Sequence, residues 1–303
     1  MLKISTELHQ FIEQSGSFKF NYNLKKINWF QVGGNTDLFF RPKSKEELQI
    51  FLQKKGDLPI FVMGVGSNII IRDGGFRGCV IRLGRGFTEL EKLPDMQLKV
   101  GAANLDLNVA LFSQMVPLSG FEFLSGIPGT IGGAIKMNAG AYGGEMSQIL
   151  VKACGYDLEG RYHEFGNEEM NYEYRKSSPP KEMIYTHTIL RGSEGVESEI
   201  KKRIKEIQEK RETTQPIRNK TGGSTFKNPT DKRAWEVIDK AGCRGLCVGD
   251  AMMSEKHCNF MINTGNATAK DLEKLGNMVR AKVKDHSGVE LKWEIKIIGE
   301  SDE

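Results

Sequence analysis

The 303-residue sequence contains no long hydrophobic run. No segment approaches the roughly 18–20 apolar residues needed to cross a bilayer, so we expect no membrane insertion. Residues 1–16 likewise lack the continuous apolar stretch of a signal peptide, and their pattern is typical of an amphipathic helix. Together these absences predict a soluble protein of the cytoplasm.

Cysteine is scarce and widely spaced, with five residues at Cys79, Cys154, Cys243, Cys247 and Cys258. An odd number at such spacing does not indicate a disulfide framework, and we expect reduced thiols that mostly fill small core positions. Cys243 and Cys247 have no second pair or histidine cluster nearby, which argues against a zinc site. For His257, beside Cys258, a structural role is favoured over a catalytic one.

An excess of charge of one sign is also missing, because 43 basic and 39 acidic residues leave a net charge of +4. This balance does not predict nucleic-acid binding, although it suits an anionic small molecule. In the charged segment 197–211, glutamates alternate with lysines and arginines around Ile200, Ile204 and Ile207. That pattern favours a solvated helix over an RNA-binding surface, and the change in composition indicates a domain boundary.

A Rossmann fingerprint is absent as well. The sequence GVGSN, residues 64–68, lacks the third glycine and joins two strand-like segments, PIFVMG and NIIIRD, instead of opening a helix. The turn could still bind a phosphate through its amides. The remaining pattern of short strands and helices has no βαβ rhythm and predicts an α+β protein.

Glycine, in contrast, is concentrated between Gly126 and Gly144, where it supplies seven of nineteen residues. Glycines allow backbone amides to approach a ligand closely, and consecutive amides can bind an anionic group. The alternative is an ordinary surface loop. Apolar residues alternate with the glycines, and we therefore favour a buried cofactor-binding segment.

Three polar residues elsewhere are candidates for chemistry, although each also has an ordinary interpretation. Ser224 follows Gly222-Gly223 and is either a backbone cap or a proton donor beside a ligand. Arg175 either holds a carboxylate with both guanidinium nitrogens or forms a surface ion pair. Glu294 lies on the polar face of the alternating segment 289–297, which predicts a half-buried strand.

Six motifs follow one another along the chain: GVGSN, GIPGTIGGAIKMNAGAYGGEM, YRKS, KTGGSTFKNP, SEKHCNF and a terminal L-x-x-E-I. In this order and at these separations they resemble the UDP-N-acetylenolpyruvoylglucosamine reductases, also called UDP-N-acetylmuramate dehydrogenases. The resemblance covers residues 28–299, and the length is similar to that of the compact members that lack an extra tyrosine-bearing loop. It implies an FAD-binding domain of the vanillyl-alcohol-oxidase or p-cresol-methylhydroxylase type and a smaller α+β substrate-binding domain. The expected domains are residues 1–195, completed by a C-terminal strand at 289–299, and residues 196–303.

The resemblance also implies the reaction. NADPH reduces FAD, and flavin N5 then delivers a hydride to UDP-N-acetylglucosamine enolpyruvate, which yields UDP-N-acetylmuramate for peptidoglycan synthesis. Ser224 matches the proton donor, while Arg175 and Glu294 match the residues that polarise the substrate carboxylate. A monomer is expected, with no nucleic-acid partner.

The matching positions imply two sets of binding residues. Substrate is expected at Tyr174, Lys227 and Asn228. The expected FAD contacts are Gly64, Val65, Gly66, Ser67, Asn68, Gly126, Ile127, Pro128, Gly129, Thr130, Gly132, Gly133, Ala134, Asn138, Gly140 and Ala141.

Two positions depart from the family pattern: Asn28, where threonine is common, and Cys258, where alanine is common. We expect Asn28 to alter one contact near the flavin phosphates. Two alternative functions are another flavin oxidase with the same type of FAD domain and a non-catalytic flavin- or nucleotide-binding protein. The first leaves Ser224 and Glu294 without a role.

Overall fold

The structure, a computed structural model, describes residues 4–302. Within this range the α-helices are α1 (Thr6–Ser15), α2 (Lys45–Lys54), α3 (Asp106–Met115), α4 (Ile131–Met137), α5 (Met146–Ile149), α6 (Glu197–Thr214), α7 (Ala234–Lys240) and α8 (Ala269–Ser287).

The strands are mostly short. They are β1 (Phe18–Asn23), β2 (Asn35–Phe40), β3 (Ile60–Val62), β4 (Ile69–Ile71), β5 (Phe76–Ile81), β6 (Leu90–Leu93), β7 (Gln97–Gly101), β8 (Leu118–Ser119), β9 (Gly140–Ala141), β10 (Gly144–Glu145), β11 (Leu150–Asp157), β12 (Tyr162–Gly166), β13 (Met183–Arg191), β14 (Ser193–Glu194), β15 (Lys220–Thr221), β16 (Cys247–Val248), β17 (Ala251–Met253), β18 (Met261–Asn263) and β19 (Lys296–Ile298).

The chain forms two compact units. Unit 1 comprises Met1–Phe20, Leu38–Gly64 and Gly78–Lys210, and unit 2 comprises Asn21–Asp37, Val65–Arg77 and Arg211–Glu303. The division does not coincide with the expected boundary at residues 195 and 196, because most of α6 belongs to unit 1 and two early segments belong to unit 2.

Unit 1 is built on an antiparallel five-stranded sheet with the order β12-β11-β13-β7-β6. Val100 of β7 packs in one buried cluster with Val109 of α3 and Ile131 and Ile135 of α4. Removing these apolar side chains from water stabilises the layer of helices against the sheet. The sheet and its core thus position the start of α4, inside the glycine-rich segment.

Local sequence signals explain several helices. Ser44 accepts a hydrogen bond from the Glu47 amide at 3.2 Å and caps α2. In α6, Ile200, Ile204 and Ile207 are buried at helical spacing while the charged residues face solvent. The prediction of a solvated charged helix is therefore confirmed.

Unit 2 contains a four-stranded antiparallel sheet, β15-β18-β17-β16, with α8 against it. The N-terminus of α8 carries a capping box of Thr268 and Asp271. Asp73 adds a second cap, since its two carboxylate oxygens accept the amides of Ala269 and Lys270, each at 3.0 Å. These contacts join the loop after β4 to the longest helix of the unit.

The C-terminal segment differs from the expected long strand. Strand β19 covers only Lys296–Ile298 and pairs in parallel with β4, while Trp293 forms an isolated bridge with Phe226. The alternation of buried and exposed residues over 289–297 therefore comes from an extended segment that packs on one side, not from a continuous ladder. The predicted strand–turn–strand around GVGSN is confirmed, with β3 before it and β4 after it.

Candidate active site

The glycine-rich segment of unit 1 folds into a helix followed by a hairpin. Helix α4 ends at Asn138, which has φ of 42°, and the hairpin of β9 and β10 turns through Tyr142 and Gly143 at φ of 52° and 92°. The glycine content disfavours a helix locally, so periodicity did not predict α4. Tertiary packing of Ile131 and Ile135 outweighs that preference.

Backbone hydrogen bonds from the segment before α3 hold the start of α4. The Ile131 amide donates to the Asn104 carbonyl at 3.0 Å, and the Gly132 amide donates to the Ala102 carbonyl at 2.9 Å. Since the protein itself uses these two amides, they are not free for an anion. An FAD contact at Gly132 stays a prediction.

Several glycines of the segment are required by close packing. A methyl group on Gly126 would lie 2.5 Å from the Tyr142 ring, and one on Gly64 would lie 2.5 Å from Oγ1 of Thr130. Gly64 of the GVGSN turn therefore lies directly against the residue before α4. At exposed Gly133 the nearest atom to such a methyl group would be Thr130 Oγ1 at 3.7 Å, so the backbone there is accessible to a ligand.

The other expected cofactor residues of unit 1 lie along the same segment. Asn138 is buried, and its carboxamide oxygen accepts the Ser147 amide at 2.9 Å. The remaining residues of this set are buried or half-buried. Ile127, Pro128 and Gly129 precede α4, Ala134 lies within α4, and Gly140 and Ala141 form β9.

In unit 2, residues 65–68 form a turn, and the carbonyl groups of residues 66–68 accept hydrogen bonds from other segments of the unit. The Gly66, Ser67 and Asn68 carbonyls accept the amides of Trp29, Gly223 and Lys296 at 3.0, 2.9 and 3.1 Å. Among the hydrogen bonds of residues 4–302, none has an amide of Val65–Asn68 as its donor. A turn of adjacent, unused amides with Gly66 at φ of 72° suits an anionic group such as a phosphate.

Asn28 lies beside this turn but is fully occupied by backbone contacts. Its side-chain nitrogen donates to the Leu24 and Val32 carbonyls at 2.9 and 2.7 Å, and its oxygen accepts the Val32 amide at 3.4 Å. The buried carboxamide therefore closes the loop between residues 24 and 32. The expected effect of Asn28 on a contact near the flavin phosphates stays a prediction.

The Ser224 loop is anchored on both sides. Gly223 donates its amide to the Ser67 carbonyl at 2.9 Å, and Thr225 donates its amide to the Asn259 carbonyl at 2.7 Å. The Thr225 carbonyl accepts the Glu294 amide at 2.9 Å. Ser224 and Glu294, both half-buried, thus lie on two neighbouring segments of the chain, although 70 positions separate them in the sequence.

The same chain pairing continues to Lys227, whose amide donates to the Lys292 carbonyl at 2.9 Å. The rings of Phe226 and Trp293, one on each of the two paired segments, pack together with their centroids 5.1 Å apart. Asn228 has a structural contact, because its side-chain oxygen accepts the Ala234 amide at 2.9 Å and caps α7.

Arg175 lies in unit 1, next to the glycine-rich segment. It follows Tyr174 in a tight turn closed by Glu173 and Lys176, and its guanidinium donates to the Gly140 carbonyl at 2.7 Å and the Asn138 carbonyl at 3.4 Å. The guanidinium also lies 4.9 Å from the centre of the exposed Tyr174 ring. At φ of 56°, Arg175 has a conformation that costs about 1 kcal/mol or more and recurs at functional sites.

Sequence reasoning missed two buried residues near these elements, Asp106 and Asn259. Asp106 has no exposed surface, neither of its carboxyl oxygens has a hydrogen-bond partner, and burial raises its pKa well above the ordinary value. The pattern of α3, which starts after Leu105, gave no signal for it. Asn259 lies in the SEKHCNF motif, in which the sequence analysis considered a role only for His257 and Cys258.

The prediction that His257 is structural agrees with its surroundings. Its ring lies between Trp235 and Phe260, and burial lowers its pKa. The cysteines are free thiols, and only Cys247 is exposed. Within residues 4–302 no cluster of histidine, cysteine and acidic residues could hold a metal ion, and no helix is both long and apolar enough to span a membrane.

Comparisons with known families and structures match both halves of the chain. The FAD binding domain family matches residues 36–165, and the UDP-N-acetylenolpyruvoylglucosamine reductase C-terminal domain matches residues 215–298. The UDP-N-acetylenolpyruvoylglucosamine reductases of Rickettsia massiliae (strain Mtu5) and Rickettsia rickettsii (strain Sheila Smith) are 52% and 53% identical over 285 residues. Each alignment covers 94% of this chain and 96% of the relative.

A solved structure agrees with this assignment. The crystal structure of the UDP-N-acetylenolpyruvylglucosamine reductase from Thermus caldophilus superposes with a TM-score of 0.80 at 35% identity, covering 91% of this chain and 97% of the other. The predicted α+β fold, with an FAD-binding domain and a C-terminal domain, is confirmed. On this evidence the chain belongs to the UDP-N-acetylenolpyruvoylglucosamine reductase family of FAD-dependent oxidoreductases.

Proposed function

We propose that this protein uses NADPH and FAD to reduce UDP-N-acetylglucosamine enolpyruvate to UDP-N-acetylmuramate, a step of peptidoglycan precursor synthesis. Family membership supports the substrate and both cofactors. The observation that carries the proposal for the site is the Thr225 carbonyl, which binds the Glu294 amide and holds the Ser224 loop against the Glu294 segment.

The residues fit FAD at two places. The unused amides of Val65–Asn68 in unit 2 suit the pyrophosphate. Within unit 1, Gly64 packs on Thr130 before α4. The accessible backbone at Gly133 and the hairpin after Asn138 give further contacts along the glycine-rich segment. When bound, FAD supplies the hydride, which NADPH provides in the first half-reaction.

Ser224 supplies the proton in this proposal. A serine hydroxyl is a weak acid, so it donates efficiently only to a strongly basic carbon and only when its position is fixed. The two glycines before it allow close approach to a ligand, while the bonds at Gly223 and Thr225 restrict the loop. Lys227 stands three residues later and adds positive charge near the donor, with Asn228 beside it.

Arg175 and Glu294 act on the substrate carboxylate. Hydride addition to the enol ether places negative charge on this group, and a guanidinium aimed at it lowers the energy of that charge where water is excluded. Arg175 makes one short bond to the Gly140 carbonyl, and Tyr174 supports its planar head. The planar fork allows the same guanidinium to bind two oxygens, which a lysine ammonium cannot do.

Anaerobic titration tests the overall reaction. The FAD-loaded protein should lose its yellow colour with NADPH and regain it when the enolpyruvyl UDP-sugar is added. Bleaching of the oxidised flavin by a simple alcohol or sugar, with no recovery of colour on adding the enolpyruvyl UDP-sugar, would instead support the flavin oxidase alternative. A protein that binds FAD but is not reduced by NADPH would support the non-catalytic alternative.

Ser224→Ala tests the proton donor. We expect flavin reduction by NADPH to remain unchanged and reoxidation by substrate to slow by about 100-fold or more, because only the second half-reaction needs the proton. Ser287→Ala is a suitable control, since its hydroxyl only bonds the Val283 carbonyl within α8. Equal slowing of both half-reactions by Ser224→Ala would contradict this role.

The same preparations test two remaining predictions. Light scattering after size-exclusion chromatography measures whether the protein is a monomer, as predicted. Cell fractionation measures whether it is cytoplasmic.

A further inference from the structure

Asn259 is a buried polar residue that the proposed mechanism does not use. Only 4% of its surface is exposed, and its backbone and side chain both bond the two residues that follow Ser224. We propose that Asn259 is a positioning residue that fixes the Ser224 hydroxyl for proton transfer. This inference rests on the proposed function.

Three hydrogen bonds define the contact. The Asn259 carbonyl accepts the Thr225 amide at 2.7 Å, its side-chain oxygen accepts the Phe226 amide at 3.0 Å, and its side-chain nitrogen donates to the Phe226 carbonyl at 2.9 Å. The carboxamide thereby satisfies both backbone groups of Phe226, as a neighbouring strand would. An aspartate would keep the acceptor and lose the donor, and an alanine would lose both.

The chain on the other face completes the clamp. The Thr225 carbonyl accepts the amides of Glu294 and Ile295 at 2.9 and 3.4 Å. Thr225 also receives the Met261 amide on its hydroxyl at 3.2 Å. Residues 225 and 226 are therefore held from two sides, and Ser224 is covalently attached to this fixed segment.

The opposite end of the loop cannot supply the same rigidity. Gly222 and Gly223 precede Ser224, and glycine has more backbone freedom than any other residue. On that side the Gly223 amide donates to the Ser67 carbonyl, while the bond from the Thr221 hydroxyl to the Gly222 carbonyl joins adjacent residues and adds little restraint. The orientation of Ser224 consequently depends on the segment that Asn259 binds.

Asn259→Ala tests the inference in the FAD-loaded protein by stopped-flow absorbance. Reoxidation by substrate should slow by up to about 100-fold, the typical effect of displacing a reacting group by about 1 Å. Flavin reduction by NADPH and the substrate dissociation constant should stay unchanged. Asn259→Asp should give a smaller effect, because it retains one of the two side-chain bonds.

Asn263→Ala is the matched control. Asn263 is equally buried in unit 2 and also forms three side-chain hydrogen bonds to backbone groups, with Phe30, Gly265 and Ala267. Among the described residues, its side chain has no hydrogen bond to residues 222–227. Hydrogen exchange of residues 222–227 should accelerate in Asn259→Ala and not in Asn263→Ala. Equal slowing of reoxidation in both variants would refute a specific role for Asn259.

The double variant Ser224→Ala/Asn259→Ala separates positioning from general stability. Once the hydroxyl is gone, removing Asn259 should slow reoxidation no further; multiplicative losses would overturn the inference. If Ser224→Ala itself leaves reoxidation unchanged, the proposed proton donor is wrong. If Ser224→Ala slows it and neither Asn259 variant does, only the positioning role fails. Should Asn259→Ala not fold, Asn259→Asp decides between these outcomes.

Discussion

The buried Asp106 carboxyl predicts an unusual dependence of stability on pH. Both of its oxygens lack partners, and a methyl group on Gly129 would lie 2.6 Å from one of them, so the group is tightly enclosed at the start of α3. Burial without a nearby positive charge favours the neutral acid and raises its pKa well above 3.8. The substitution Asp106→Asn keeps the shape and removes the titration.

The sign follows from proton uptake. Above the unfolded pKa, the unfolded chain releases the Asp106 proton while the folded protein retains it, so the folded protein binds one proton more. Stability therefore falls as pH rises, by about 1.4 kcal/mol per pH unit, until the folded pKa is reached. As pH rises from about 5, the free energy of unfolding of the wild type should therefore fall relative to that of Asp106→Asn.

Urea unfolding of both proteins at a series of pH values measures this difference. His187, whose pKa burial lowers to about 4, is present in both and cancels. The pH at which the difference levels off reports the folded pKa of Asp106. A difference that stays constant across this range would refute the reasoning, because it would mean that the folded protein holds an ionised Asp106 with a partner.

Three further predictions concern other parts of the structure. Asp73→Ala removes the carboxylate that accepts hydrogen bonds from two amides of α8, so it should lower the free energy of unfolding by about 1–2 kcal/mol. Fluorescence of the three tryptophans, which all lie in unit 2, measures the unfolding. Gly64→Ala forces a methyl group against Thr130 and should weaken FAD binding, measured by quenching of flavin fluorescence; unchanged affinity would show that this contact is not needed for the cofactor. His187→Gln removes an imidazole whose pKa burial lowers from 6.5 to about 4. Since the unfolded chain takes up that proton first, the wild type should lose about 1.4 kcal/mol per pH unit relative to the variant as pH falls from about 6.5 toward 4, and parallel stability curves would contradict this.

Much of the architecture was predictable where local chemistry and tertiary contacts agree. The Ser44 cap, the Thr268 capping box and the isoleucine stripe of α6 specify helices without reference to distant residues. The strand–turn–strand at GVGSN was predictable because no helix-forming segment follows the turn. In these segments the local sequence pattern is compatible with one stable secondary structure.

The site required tertiary structure for a different reason. No local pattern indicates that the Thr225 carbonyl binds the Glu294 amide, or that Asn259 binds Phe226, because those hydrogen bonds join positions dozens of residues apart. Helix α4 likewise forms against its glycine-rich sequence, since burial of Ile131 and Ile135 stabilises it.

The sequence by itself thus determined the family, the α+β class and some of the helices, through motif order, capping and apolar periodicity. Only the tertiary structure decided which amides stay free at Val65–Asn68, which carboxyl is buried without a partner and which side chain holds the Ser224 loop. The physical reason is that burial and hydrogen bonding are properties of the neighbours in space, and these neighbours come from segments far apart in the chain.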